Sequence, residues 1–235
     1  MFADPTVTLE PELRERPGMW ADAIPGRDEQ QALKRKAIVR AAARLMSRRG
    51  SHGATLDDVA DRLGVSKAAL YRYVSNKNDL ILACHEEALA IAERCLDHGE
   101  EKGATGLEKI RLGLRSYLVE MIRELGVPAL ILEENVLQGD AAERNYANRD
   151  TYEQRMRRLV AEGQRDGSIV QSEPKIAVFM LLGSIHWLAK WYCPDGDWQP
   201  EQVADAIVEL ATRALEPSPA ERLSAELHAG AGTGP

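Results

Sequence analysis

Cysteine is scarce in this chain. There are three in 235 residues, Cys84, Cys95 and Cys193, an odd count at no framework spacing. That excludes a disulfide scaffold and points to reduced thiols in the cytosol. Aromatic residues are few, at 5%. No stretch approaches about 18 consecutive apolar residues, so no membrane-spanning helix is expected. The first residues are acidic and proline-bearing rather than basic and then apolar, so no secretory signal is expected. Strand-like alternation and internal repeats are missing. So are the marks of common catalytic machinery: there is no P-loop, no G-x-G-x-x-G, no H-E-x-x-H and no nucleophile with a matching base. The five histidines, at 52, 85, 98, 186 and 228, form no set. Cys84, Cys95 and His98 fall on one side of a helix, but the two cysteines are separated by about 16 Å along its axis. That is too far for one tetrahedral site. No catalytic residue, metal site or cofactor is expected.

What is present favours helix. Hydrophobic content is 44% and charged content 29%, and Ala, Leu, Glu and Arg dominate. The most informative stretch is Thr55 to Leu80, TLDDVADRLGVSKAALYRYVSNKNDL. Thr55 suits an N-cap. Leu56, Val59, Ala60 and Leu63 follow at i, i+3, i+4 and i+7, one apolar helical stripe. Gly64 stops that helix as a residue able to take a positive φ. Ser66 caps the next, in which Ala69 and Leu70 turn inward and Lys67, Ala68, Tyr71, Arg72 and Tyr73 face outward. Two short helices joined by a glycine turn make a helix-turn-helix, whose second helix can enter a DNA major groove. Lys67 and Arg72 can reach phosphates or guanine edges, Tyr71 and Tyr73 can donate to phosphate oxygens, and Lys77 opens the following helix.

Charge agrees with that reading once it is divided. Residues 34–80 hold eleven Lys/Arg against four Asp, a net +7, which leaves −14 on the rest of a chain whose total is −7. A basic head on an acidic body suits a selective DNA binder.

The same residues resemble the DNA-binding domain of TetR-family repressors. The resemblance rests on Thr55 to Ala60, Leu63 to Tyr71, Tyr73-Val74 and Lys77 to Leu80, as T-x-x-x-[IV]-A, G-V-S, L-Y-x-[HY] and K-x-x-L. Val74 stands where the family usually has Phe, and Asp57 where many members carry Thr or Arg. The resemblance implies an all-α fold, with an N-terminal three-helix head and a larger helical body for ligand binding and dimerisation. It also implies that Thr55, Ser66, Lys67, Ala68, Tyr71, Arg72, Tyr73 and Lys77 form the DNA surface.

Along the chain, residues 1–27 hold four prolines and read as a disordered arm. The arm is either an inert leader or a source of further DNA contacts through Arg14, Arg16 and Arg27. The head is expected over 28–76, opening with a helix from Asp28 to Arg49. The body is expected over 77–215. Its first helix should end near His98, before a linker from Gly99 to Gly106. Further helices are expected from Leu107 to Leu125, Pro128 to Gln138, Asp140 to Gly167, Ser172 (as cap) to Tyr192, and Pro200 to Leu215. The tail, 216–235, is rich in Pro, Gly and Ala and reads as disordered.

The helix at 175–192 is apolar over most of its circumference and must be covered on all sides. A second copy of the chain, packed as a four-helix bundle, would cover it, and a two-fold pair would read a palindromic operator. The middle helices place Tyr117, Met121, Glu134, Tyr152, Met156 and Trp187 on inner faces, either as core filling or as walls of a ligand cavity. The resemblance implies that a small molecule there loosens DNA binding by a population shift. The segment from Trp187 to Gly196 with Pro200-Glu201 is similar to regulators of lipid or sterol breakdown, some of which sense acyl-CoA thioesters. Lys190 or an arginine of the 140–166 helix would then meet ligand phosphate. The expected partners are double-stranded DNA, a small-molecule effector and a second copy, with no membrane. A ligand-independent DNA-binding regulator and an enzyme of the helical body are the alternatives.

Overall fold

The computed structural model describes residues 26–126 and 137–220. The arm up to residue 25, the tail from 221 and the segment 127–136, with most of one expected helix and Glu134, lie outside the described residues. All regular structure is helical, with no strand among the described residues. The described residues divide into two compact units between Ala37 and Ile38. The first contributes the opening turns of α1 (Arg27–Gly53), where Asp28 and Glu29 complement the positive end of the helix dipole.

In the second unit α1 continues and buries Ile38, Val39, Ala42, Leu45 and Met46 at helical spacing. Gly50 interrupts it with φ 73° and ψ 160°. There follow α2 (Leu56–Leu63), α3 (Lys67–Leu70), α4 (Lys77–Lys102), α5 (Gly106–Leu125), α6 (Asp140–Asp166), α7 (Pro174–His186), a 3-10 turn (Trp187–Lys190) and α8 (Pro200–Arg213). Thr55 caps α2 in a capping box with Asp58, and Gly64 closes the helix in the left-handed region at φ 65° and ψ 32°. The thiol of Cys84 donates to the Val39 carbonyl at 3.5 Å, which ties α4 to α1 within the core.

Three expectations need correction. The helix expected to stop near His98 runs on to Lys102, and Gly99 lies inside it, buried. A Cβ at Gly99 would stand 2.8 Å from the Gly113 backbone nitrogen of α5. The glycine therefore marks a close crossing of α4 and α5, and their packing outweighs its poor helix propensity. Ser172 is not the cap of α7. Its carbonyl accepts from Gln164 Nε2 at 2.7 Å, and Glu173 is the N-cap, its carboxylate accepting from the Lys175 N–H at 3.3 Å. Finally, α7 ends at His186 rather than Tyr192. The chain tightens into the 3-10 turn and folds over, with Trp191 edge-on to Trp198 at 6.2 Å and the Tyr192 hydroxyl donating to the Trp198 carbonyl at 3.1 Å.

Candidate nucleic-acid interface and ligand cavity

The head begins from its caps. The Asp58 carboxylate accepts from the Thr55 N–H (2.9 Å) and hydroxyl (2.5 Å), while the Asp58 N–H donates to the Thr55 hydroxyl at 3.1 Å. The Thr55 hydroxyl, with its N–H and Arg49 nearby, holds the Asp58 carboxyl below its ordinary range. Ser66 accepts from the Ala69 N–H at 3.2 Å. Thr55 and Ser66 thus use their side chains to set the geometry of the motif. The second helix, α3, is a single turn, prolonged by bonds from Tyr71 N–H to Lys67 and from Tyr73 N–H to Leu70. Leu70, fully buried, anchors it.

The outer side of that turn presents Lys67, Ala68, Tyr71 and Arg72, all exposed, whereas Tyr73 is half-buried against the core. Lys67 is engaged: its ammonium lies 2.8 Å from the Asp57 carboxylate, which raises its pKa. The Arg72 and Lys77 side chains make no hydrogen bond or ion pair among the described residues. Lys77 occupies the first position of α4 and is half-buried.

Not every cation of the basic head faces outward. Arg40, Arg44 and Arg48 repeat every fourth residue on one stripe of α1. Arg40 meets the Glu124 carboxylate at 2.5 Å. Arg44 donates to the Glu124 carbonyl at 3.0 Å and to the Arg123 carbonyl, two acceptors of the last turn of α5. Arg48 reaches Asp195 at 3.3 Å across an exposed gap. This ladder was missed in the sequence, where the three residues count only as positive charge; the i, i+4, i+8 spacing was the available signal.

In the body a cavity of about 310 Å³ opens between α4, α5, α6 and α7. Its apolar wall includes Ala88, Leu89, Ala92, Phe179 and Leu182. Its polar groups include His85 from α4, Tyr117 from α5, Arg149, Tyr152 and Glu153 from α6, and His186 from α7. Of the expected cavity residues it brings together Tyr117 and Tyr152. Met121 and Met156 are fully buried in the core and do not line it. Trp187 is a correction: it is 61% exposed, because it falls four and seven residues after Gly183 and Met180, on the bare face of α7 rather than its inner one. Lys190 is also exposed and off the cavity, while Arg149 is in its wall. His85, Asn145 and Glu153 were not singled out beforehand, although His85 is in register with Ile81, Ala88 and Ala92, and Glu153 with Met156 and Val160, on the buried stripes of α4 and α6.

Arg155, next to the cavity on α6, gathers three carboxylates of α4: Glu93 at 3.1 Å, Asp97 at 2.6 Å and Glu100 at 2.8 Å. It clamps two walls of the cavity together. Among the described residues no group of three or more His, Cys, Asp or Glu side chains could hold a metal ion. No described helix is long and apolar enough to cross a membrane.

Comparison with known proteins places these features. Residues 38–84 match the family of bacterial regulatory proteins named for tetR, and residues 103–215 match a tetracyclin repressor-like C-terminal domain. The nucleoid occlusion factor SlmA of Vibrio atlanticus (strain LGP32) is 30% identical over 192 residues, covering 78% of this chain and 96% of that protein. The transcriptional repressor KstR2 of Mycolicibacterium smegmatis (strain ATCC 700084 / mc(2)155) is 22% identical over 202 residues, covering 84% of this chain and 98% of the repressor. Among solved structures, AibR in complex with isovaleryl coenzyme A and operator DNA superposes with a TM-score of 0.64 at 26% identity, covering 75% of this chain and 97% of that one.

Proposed function

The chain belongs to the TetR family of bacterial transcriptional regulators, and we propose that it acts as a dimeric repressor that leaves a palindromic operator when a small molecule enters the α4–α7 cavity. The observation that carries this reading is the course of α4. One uninterrupted helix supplies His85, Ala88 and Ala92 to the cavity and Lys77 to the edge of the DNA-reading motif. A ligand that moves α4 therefore moves the head.

In this reading residues 28–76 form the head and 77–215 the body. Lys67, Ala68, Tyr71, Arg72, Tyr73 and Lys77 face DNA, while Thr55 and Ser66 hold the motif in shape. Two heads read two half-sites about one helical turn apart. The second copy covers the apolar surface left bare on α7 and α8, where Ile176, Met180 and Leu210 are 69%, 44% and 67% exposed. The arginine ladder gives a second link from body to head, since it fixes α1 to the end of α5. The protein works in the cytoplasm, not as an enzyme. The cavity favours an effector over ligand-independent DNA binding. The isovaleryl coenzyme A complex of AibR supports an acyl-CoA-like compound as its class.

The experiment is a fluorescence-anisotropy titration of a labelled operator duplex with and without acyl-CoA thioesters. The reading expects tight, salt-dependent binding to the operator, weak binding to random duplex, and release by ligand. Binding that ignores both sequence and ligand would contradict it.

A further inference from the structure

Buried tyrosine hydroxyls find a hydrogen-bond partner as a rule, because leaving one dry costs free energy. Tyr192 obeys the rule through Trp198. Tyr117 and Tyr152 have no such partner among the described residues. They are 4% and 7% exposed, and both line the cavity, whose space is open to their hydroxyls. They come from different helices, α5 and α6, and Tyr152 is one of the groups that act electrostatically on Tyr117. We propose that these two hydroxyls are the recognition element of the effector site, and that they jointly bind an uncharged carbonyl oxygen, that of a short-chain acyl thioester or ester. The proposal rests on the reading of the cavity as an effector site.

Three observations narrow the class. Burial raises both phenol pKa values, so the pair meets the ligand as neutral donors and calls for an acceptor. The charges of the wall balance within the protein: Arg157 holds the buried Glu153 at 2.5 Å, and the guanidinium of Arg149 stands in the same wall as the Asp150 carboxylate. A free carboxylate would lose its hydration in a wall with no surplus arginine to match it, whereas a thioester carbonyl carries no such cost. Size agrees with a small ligand group: at about 310 Å³ the cavity lies at the lower end of the roughly 300–1,000 Å³ range of ligand sites. That accommodates a short acyl group with its carbonyl and sulfur. Ala88, Leu89, Ala92 and Leu182 supply the apolar wall for the acyl chain.

The test is calorimetric titration of the full chain with isovaleryl-CoA, butyryl-CoA, hexanoyl-CoA, isovalerate and unacylated coenzyme A, in parallel with operator release. At least one thioester is expected to bind ten times or more tighter than isovalerate and than coenzyme A. Tyr117→Phe and Tyr152→Phe, which keep the ring, should each weaken that binding roughly three- to tenfold. Their operator affinity and thermal midpoints should stay those of the parent, which separates lost recognition from lost folding. Isovalerate binding as well as its thioester, or both variants keeping full thioester affinity, overturns the carbonyl assignment and leaves the effector reading standing. If no thioester binds or releases operator, the effector reading fails and the assignment falls with it.

Discussion

The guanidinium of Arg44, in the middle of α1, donates through Nε to the main-chain carbonyl of Glu124 at 3.0 Å. Because the acceptor is a backbone carbonyl of the last turn of α5, the bond ties the head to a helix terminus and follows any movement of that terminus. A cation there also satisfies orphan carbonyls and the negative end of the helix dipole. Arg44→Ala should lower stability by about 1 kcal/mol. In the proposed mechanism it should also blunt operator release by ligand while operator affinity without ligand stays within about threefold. Anisotropy titrations at fixed effector and a thermal melt measure both. Full release by the variant would remove the ladder from the signalling route.

Lys67 is held by Asp57 at 2.8 Å, so the two charges offset each other on the DNA-facing side. Asp57→Ala should free a cation and remove a repulsive anion. Operator affinity should rise, and the slope of log affinity against log salt should steepen by about one. Lys77→Ala and Arg72→Ala should do the opposite. Salt titrations of the three variants check the signs together. An unchanged slope in all of them would move the DNA surface elsewhere.

The Thr55 N-cap is expected to contribute about 1 kcal/mol to the head. The Asp58 carboxyl is depressed by the Thr55 hydroxyl first, so its stabilisation is present above the ordinary carboxylate value of 3.8 and is lost as pH falls through the lowered folded value. Thr55→Ala should lower the thermal midpoint at pH 7, and the difference from the parent should narrow without vanishing as pH drops below 3.8, because the bond from the Asp58 N–H to the Thr55 hydroxyl does not titrate. A difference that does not change with pH would mean that the cap acts without the carboxylate charge.

Thiol labelling checks the packing of α4. Cys84 and Cys95 are buried and Cys193 is exposed. Burial, aided by the Glu120 carboxylate, pushes the Cys95 thiol up to about 12. One thiol of the native chain should react quickly with a thiol reagent at neutral pH, and the other two only on unfolding. Fast labelling of all three would contradict the packing of α4 against α1 and α5.

The helix-turn-helix was legible because its signals are local. Thr55, Gly64, Ser66 and the stripe from Leu56 to Leu63 each act within a turn or two of their own position. Gly99 was misread for the complementary reason. A glycine that ends a helix and one that admits a neighbouring helix look alike in one dimension, and only the backbone of α5 beside Gly113 distinguishes them. The arginines at 40, 44 and 48 carry charge that any sequence count assigns to DNA, yet their partners lie some 80 residues or more away in the chain. Tyr117 and Tyr152 could be named as large polar residues on inner faces. That both line one cavity and bond to no other described group needed the packing of four helices. Trp187 shares its register with Ile176 and Met180, and only the packing of α7 shows that this face of an all-round apolar helix is the bare one.

Selection of bound sequences from random duplex DNA by the purified chain tests the central claim most directly. The account predicts enrichment of a palindrome with half-site centres about one helical turn apart, and loss of that enrichment with Tyr71→Ala. A folded, dimeric protein that enriches nothing above background would contradict it.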